Sequence, residues 1–324
     1  VRAGDTAEVV VVGSINADTT YRLAALPRPG ETAIVRSASV SAGGKGANQA
    51  IAAAAAGART RMVGLVGADA DADAALRSLR ERGVDTDDVG RVAGATTGRA
   101  VIAVDDEGEN SILVLSGANA LVEETAVVAG LSALSAGDAL VLQNEVPAGA
   151  NHAAARRGRE VGATVIWNAA PAPITLDELV LEADVLVVNA HELDRIAALL
   201  DVDRDTASFP DPPLELLRRT AVALSPSGRL TGVCTLGSDG AVFVAADASG
   251  RVRAPRVRAV DTTAAGDTVV GYLAASQTAP LEERLLLAAA AGAVTVTRAG
   301  ASSSIPALRK VEQLLATTTE RTDA

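Results

Sequence analysis

Hydrophobic positions along the chain alternate between short solid runs and longer periodic stretches. Residues 9–12, 139–142, 164–167, 185–188 and 231–235 are fully apolar or nearly so and rich in β-branched side chains. Strands buried on both faces have this pattern. Between them, 48–56, 72–82, 150–161 and 191–200 read as helices, several closed by a glycine one or two residues on. The alternation predicts βαβ units, hence an α/β fold with a mostly parallel central sheet and helices on both of its faces.

Two stretches depart from this pattern. Residues 100–104 and 111–115 flank the turn-forming Asp105-Asp106-Glu107-Gly108 and read as an antiparallel hairpin. The segment 19–40 lacks a helical period and carries the turn signal Pro27-Arg28-Pro29-Gly30. Together they predict a small sheet outside the main layer, a lid built from two separated segments, about 14–42 and 96–118. Helices return at 265–275 and 281–296, and the polar stretch 317–324 is expected to be a disordered tail. No internal repeat of 20–50 residues is visible, which puts solenoids aside, and 1–324 is expected to form one domain.

Composition narrows the function classes. Apolar residues make up 48% of the 324 positions but aromatics only 2%, so helices and sheet must pack through Ala, Val and Leu. A formal charge of -11 opposes long-range attraction to nucleic acid or anionic membranes, so any polyanionic ligand needs a local site. With Cys234 as the only cysteine, an internal disulfide is excluded and a reducing, cytoplasmic compartment is expected. No basic segment followed by an apolar core opens the sequence, and no run reaches the ~18 apolar residues of a membrane span.

Three glycine-containing segments carry chemistry. In Asp261-Thr262-Thr263-Ala264-Ala265-Gly266-Asp267-Thr268, small residues lead into an apolar helix with a carboxylate in its first turn. Unpaired N–H groups at a helix start attract phosphate oxygens, and Ala264, Ala265 and Gly266 leave the backbone approachable. Asp267 beside them is placed to accept a proton from an attacking hydroxyl; an ordinary helix cap explains the same residue more simply. Gly43-Gly44-Lys45-Gly46-Ala47-Asn48 is not a P-loop, because Gly46 follows Lys45 where Ser or Thr is required. Its amides, ammonium and carboxamide suit a hydroxyl-rich ligand, although a structural turn accounts for them equally. Gly13-Ser14-Ile15-Asn16-Ala17-Asp18 follows the first strand, where open α/β sheets bind ligands, and it lacks a dinucleotide fingerprint. Glu145, Asn189 and Glu192 also follow predicted strands. His152 and His191 lie in predicted helices and are not expected to be catalytic.

Taken in order, these segments resemble the ribokinase branch of the PfkB-type carbohydrate kinases over nearly the whole chain. The motifs are GSINAD at 13–18, PRPGET at 27–32, GGKGANQA at 43–50, GEN at 108–110 and SGAN at 116–119. NAAPAP at 168–173, TLGSDG at 235–240 and AVDTTAAGDT at 259–268 continue the series. The resemblance implies a ribokinase-like three-layer sandwich with a β-sheet lid that also forms a homodimer interface. It implies that Asn16, Asp18, Gly44, Lys45, Asn48 and Glu145 contact a sugar, that Asp267 is the base, and that Ala264, Ala265 and Gly266 cradle the γ-phosphate. ATP would lie near Asn189, Thr235, Gly237, Gly240, Ala265 and Gly266, with Mg²⁺ organised by Asn189 and Glu192 through water. A monovalent cation, commonly K⁺, would be held by Asp261, Thr263, Thr295, Arg298, Gly300 and Ser304.

The reaction implied is ATP-dependent phosphorylation of a sugar, with the 5-hydroxyl of D-ribose as acceptor. Alternatives are another sugar, a nucleoside, or a sugar-binding sensor without turnover. Two departures bear on this. Val269 and Val270 follow Thr268 where the family often has Phe-Asn, and 288–291, the stretch of the following helix where the family's adenine pocket often carries a His or Asn, is all alanine.

Overall fold

The structure, a computed structural model, describes residues 7–107 and 109–322. Gly108 of the expected 105–108 turn and residues 323–324 of the expected tail lie outside the described residues. The strands in chain order are β1 Glu8–Val12, β2 Asn16–Arg22, β3 Ser37–Gly43, β4 Arg59–Gly67, β5 Val84–Asp85, β6 Val89–Val92 and β7 Arg99–Val104. They continue with β8 Asn110–Leu115, β9 Ala139–Gln143, β10 Thr164–Asn168, β11 Val185–Asn189, β12 Thr231–Thr235, β13 Ala241–Val244 and β14 Ser249–Val252. The helices are α1 Lys45–Ala55, α2 Ala70–Glu81, α3 Glu124–Gly130, α4 Ala148–Val161 and α5 Ala190–Leu199. After them come α6 Pro212–Leu224, α7 Ala265–Ala275, α8 Leu281–Thr295 and α9 Leu308–Thr322.

The main sheet has the order β14-β13-β12-β11-β10-β9-β1-β4-β5, with β6 also paired to β4. All its pairs are parallel except β12–β13 and β13–β14. β1 sits between β4 and β9, in register Val9 with Thr60 and Val9 with Ala139. Its side chains alternate between two cores. Val9 and Val11 join Ile51, Val141 and Tyr272 on one face, while Val10 and Val12 join Leu140, Leu142 and Trp167 on the other. Each fully buried Val or Leu here stabilises the fold by about 1.5–3 kcal/mol. A solid apolar strand is therefore held only by a sheet covered on both faces, which gives three layers.

The scarcity of aromatics is met by close helix contact. A Cβ on Gly271 of α7 would lie 2.5 Å from both the Ala52 Cβ and the Gln49 carbonyl oxygen of α1, so a larger residue would push the two helices apart. That contact sets the distance between Asn48 and Gln49 on α1 and Asp267 on α7.

The second sheet has the order β3-β2-β7-β8 and is drawn from two separated stretches, as the pattern predicts. β2 pairs with β3 antiparallel and with β7 parallel, and β7–β8 forms the hairpin. Asn16 and Asp18 lie at the start of β2, so the base of this sheet reaches the main sheet at the site.

One expectation changes. The tail expected from Thr317 is helical through Thr322, as the end of α9. Thr317 and Thr318 donate their hydroxyls to the Gln313 and Leu314 carbonyls at 3.2 and 2.8 Å, a back-bond that lets polar residues stay in a helix. Fully buried Val311 anchors this helix against the core containing α7 and α8. Among the described residues, no helix is long and apolar enough to cross a membrane.

Candidate active site

The site forms where β1, β9 and β10 end and α1 and α7 begin, the edge at which open α/β sheets leave main-chain ends free for ligands. Glu145 fastens its floor. Its Oε2 accepts from the Ser14 hydroxyl at 2.5 Å and from the Lys45 N–H at 2.9 Å, and Ser14 Oγ in turn accepts from the Gly46 N–H at 3.2 Å. Gly44 makes the turn into α1 with φ of 86°, in the left-handed region open to glycine. Asn16 is oriented by Asn119, whose Nδ2 donates to Asn16 Oδ1 at 2.8 Å while its Oδ1 accepts from the Ile15 N–H at 3.0 Å.

Asp18 is only 7% exposed, and its Oδ1 accepts from the Ala100 N–H at 3.0 Å. Burial pushes its carboxyl up to about 6; the Ala100 N–H opposes the rise, and the negative charges of Glu145 and Asp267 add to it. Lys45 shows the complementary effect. Burial alone would lower its ammonium, but Asp267, Glu145 and Glu192 surround it with negative charge and hold it above its ordinary value.

Asp267 lies in the first turn of α7, 8% exposed, with both carboxylate oxygens engaged. Oδ2 accepts from Asn48 Nδ2 at 2.9 Å and Oδ1 from Gln49 Nε2 at 3.0 Å. Ala264 caps the helix with φ of 59°, left-handed without being glycine. The Thr268 N–H and hydroxyl both donate to its carbonyl, at 2.9 and 2.8 Å, and buried Thr295 places its hydroxyl 3.0 Å from that of Thr268. At the start of α7 the Ala265 N–H donates to the Thr262 carbonyl at 3.3 Å, whereas the Gly266 and Asp267 N–H groups have no intrahelical partner and lie at the dipole's positive end. A Cβ added to Gly266 would meet no protein atom within 4 Å, so the glycine keeps space open in front of those donors.

That space belongs to a cleft of about 970 Å³ whose lining includes Thr235, Gly237, Gly240, Ala265, Gly266 and Ala289. Asn189 and Glu192 stand apart from this lining, at the start of α5. They form a reciprocal capping box: Glu192 N–H donates to Asn189 Oδ1 at 2.9 Å, and Asn189 N–H to Glu192 Oε2 at 2.7 Å. Asn189 Oδ1 is thus committed to the helix. Burial raises the Glu192 carboxyl despite the Asn189 N–H and Lys45. Among the described residues, no group of three or more His, Cys, Asp or Glu is placed to hold a metal ion by itself.

The expected cation residues meet in part. Asp261 Oδ1 accepts from the Thr263 N–H and hydroxyl at 2.9 and 2.6 Å, and Oδ2 accepts from the Gly300 N–H at 2.9 Å, tying the two loops together. Burial would raise the Asp261 carboxyl, but these donors outweigh it and hold it below its ordinary value. Thr295 turns its hydroxyl to the Ala291 carbonyl, Ser304 donates to the Ala301 carbonyl, and Arg298 is exposed.

Four residues of the site were given no role by the sequence: Ser14, Gln49, Asn119 and Asn168. Each lies inside a quoted motif, and Gln49 is a fully buried carboxamide, next to Asn48, where α1 turns apolar. A polar residue at an apolar position is the signal that marks it.

Comparison with known proteins agrees with this geometry. The pfkB family carbohydrate kinase profile matches residues 6–308. A ribokinase of Schizosaccharomyces pombe is 38% identical over 316 residues, covering 94% of this chain and 96% of that protein. The crystal structure of a Thermotoga maritima ribokinase superposes with a TM-score of 0.84 at 32% identity, covering 96% of this chain and 100% of that one. An Arabidopsis thaliana ribokinase complexed with ribose and ATP superposes at 0.81 with 29% identity, covering 96% and 99%. On the family match and on relatives above 30% identity along nearly its full length, the chain belongs to the pfkB family of carbohydrate kinases.

Proposed function

We propose that the protein is an ATP-dependent ribokinase that transfers the γ-phosphoryl group of ATP to the 5-hydroxyl of D-ribose. The observation that carries this reading is a buried carboxylate, Asp267, set in the helix turn where the Gly266 N–H, which has no intrahelical partner, opens onto a large cleft. Nucleophile activation and phosphate binding thus sit one residue apart. The Schizosaccharomyces and Arabidopsis relatives named for ribose supply the sugar.

Ribose lies against Asn16, Asp18, Gly44, Lys45, Asn48 and Glu145. Asn48 Oδ1 is buried and finds no partner among the described residues, so it is an acceptor left for a hydroxyl. Asp267 takes the proton of the 5-hydroxyl as its oxygen bonds to the γ-phosphorus, and the bond from that phosphorus to the bridging oxygen of ADP breaks. The N–H groups at Ala265 and Gly266 stabilise charge on the transferred group. Closure of the small sheet as a lid excludes water, which would otherwise compete as acceptor.

Mg²⁺ entering with ATP would be held near Glu192, a buried carboxylate with one oxygen bonded to Asn189 N–H, and would supply positive charge at the phosphate oxygens. Asn189 and Glu192 would organise it through water. A K⁺ ion would be held by oxygens of the loop pair that Asp261 ties together through Thr263 and Gly300, with Thr295, Arg298 and Ser304 as the other residues the family likeness assigns to it, and would supply positive charge near the anion cradle. A homodimer is supported by the row Val40, Thr19, Val101 and Leu113 across the small sheet, where Val40 is 62% and Leu113 69% exposed. Sedimentation showing only monomer at micromolar concentration would exclude it. Fully buried Cys234, the only cysteine, fits the reducing cytoplasm.

The test is ADP release across D-ribose, 2-deoxyribose, fructose and nucleosides. Ribose should give the highest kcat/KM. A nucleoside or fructose ahead of ribose would replace the substrate, and no ADP release with any acceptor would leave a sensor.

A further inference from the structure

The two oxygens of Asp267 are held from different sides. Oδ2 is bonded by Asn48, which also faces the sugar. Oδ1 accepts from Gln49, a side chain with no exposed surface. The same Gln49 Nε2 donates to Asn168 Oδ1 at 2.9 Å, and Asn168 Nδ2 donates to the Val187 carbonyl at 3.0 Å. Chemistry fixes the direction of every link. A carbonyl and a carboxylate only accept, so Asn168 turns its nitrogen to Val187 and its oxygen to Gln49, and Gln49 turns its nitrogen to both neighbours.

Stability does not account for this glutamine. Its Oε1 is buried and finds no partner among the described residues, a cost that an apolar residue of the same size would not carry. A carboxylate, meanwhile, turns freely about its last torsion unless both oxygens are tied. Asn48 is shared with the sugar, which leaves Gln49 as a donor to the carboxylate that the substrate does not draw on.

We propose that Gln49 and Asn168 form a buried relay, from the main chain of β11 through the end of β10 and α1, that positions the Asp267 carboxylate for phosphoryl transfer. Gln49 is a positioning residue: it reaches no substrate and acts through Asp267. The proposal rests on Asp267 serving as the base.

The experiment is a cycle of Gln49→Met, Asp267→Ala and the double variant, with kcat and KM for ribose and MgATP measured in each. Gln49→Met should lower kcat by about 10²-fold, the scale of a misplaced reacting group, with both KM values within about threefold. In the Asp267→Ala background the same substitution should leave the residual kcat unchanged. Wild-type kcat in Gln49→Met overturns the relay, as does an equal further loss in the double variant. Near-normal turnover in Asp267→Ala overturns the base itself, a separate result. If Gln49→Met does not fold, Asn168→Ser takes its place, with a smaller kcat loss that must also vanish without Asp267. Failure of both to fold assigns the pair to the core and overturns the proposal.

Discussion

The two halves of the site are built on opposite plans. On the sugar side Asn16, Asp18, Asn48 and Asp267 are all buried, and each is held by a named donor or acceptor. On the nucleotide side an open cleft is lined by small residues, among them Gly237, Gly266, Ala289 and Gly292, with Arg251, Arg253 and Arg256 also in its lining. Fixed polar side chains read the pattern of hydroxyls on a ligand; a cleft of small residues, amides and arginines holds phosphate by charge and a flat ring by shape. Selectivity is therefore stored in the sugar half, and so is the strain of keeping three carboxylates, Asp18, Glu145 and Asp267, within electrostatic reach of one another.

The largest expected effect falls where the halves meet. Asp267→Asn should lower kcat by about 10²- to 10⁴-fold, the range for loss of a general base. It should change ribose affinity far less, because Asn16, Asp18 and Lys45 remain. The substitution also opposes one amide donor to another, since both oxygens of Asp267 accept from carboxamide nitrogens. Kinetics and calorimetry on one preparation check both parts. Turnover near wild type would mean that this half binds sugar without activating it.

The contrast also bears on what the sequence discloses. Strands that are solid apolar runs, such as β1 and β9, were legible because burial on both faces leaves a period-free signature. β4 pairs directly with β1 yet was not singled out: Arg61 and Gly64 interrupt it. Only the fold shows that Arg61 is neutralised by Glu8 and Asp88 and bonded to the Gly130 carbonyl at 2.7 Å. Partners 27 to 69 residues away cannot be read from a local pattern. The same holds in the site. Asp267 was visible from its helix turn, whereas Gln49 reaches it across 218 positions and gains a meaning only when α1 and α7 touch. Asn189 shows the converse, since its local spacing to Glu192 encodes a capping box as well as any ligand role.

A middle-sized effect tests the stored strain. The Asp18 carboxyl stands at about 6 in the folded protein against an ordinary 3.8, so the folded state binds its proton more tightly than the unfolded chain does. Its contribution to stability is full below 3.8 and is lost as pH rises through 6. By linkage the loss is up to about 3 kcal/mol. Without sugar, Asp18→Asn should remove this slope and be the more stable protein at pH 8. Ribose should bind it about 10- to 100-fold more weakly, as expected for losing a charged acceptor. In the wild type, ribose affinity should fall as pH drops below 6, where Asp18 takes up a proton. Denaturation between pH 4 and 8, with calorimetry alongside, measures both; a stability difference independent of pH would show that burial does not strain this carboxylate.

The smallest effect belongs to the nucleotide half. Of the alanines at 288–291, Ala288, Ala290 and Ala291 are fully buried in the core, and Ala289 faces the cleft. With Leu285, Gly292, Ala293 and Val296 it makes the α8 wall of the cleft, which offers a base only apolar contact. A pocket that hydrogen-bonds its ligand rejects an analogue lacking the matching group by about 10⁴-fold or more, whereas apolar contact separates near-isosteres by only about 10- to 200-fold. ATP and GTP differ in the groups at the ring edge and share the ring and the phosphates, so kcat/KM for the two should lie within about tenfold, or 1.4 kcal/mol. Steady-state rates with ATP, GTP and ITP at saturating ribose decide it. A preference for ATP beyond about 10²-fold would mean that a polar group on the opposite wall, where Ser238 and Asp239 stand, reads the base, and the two halves would then share the work of selection.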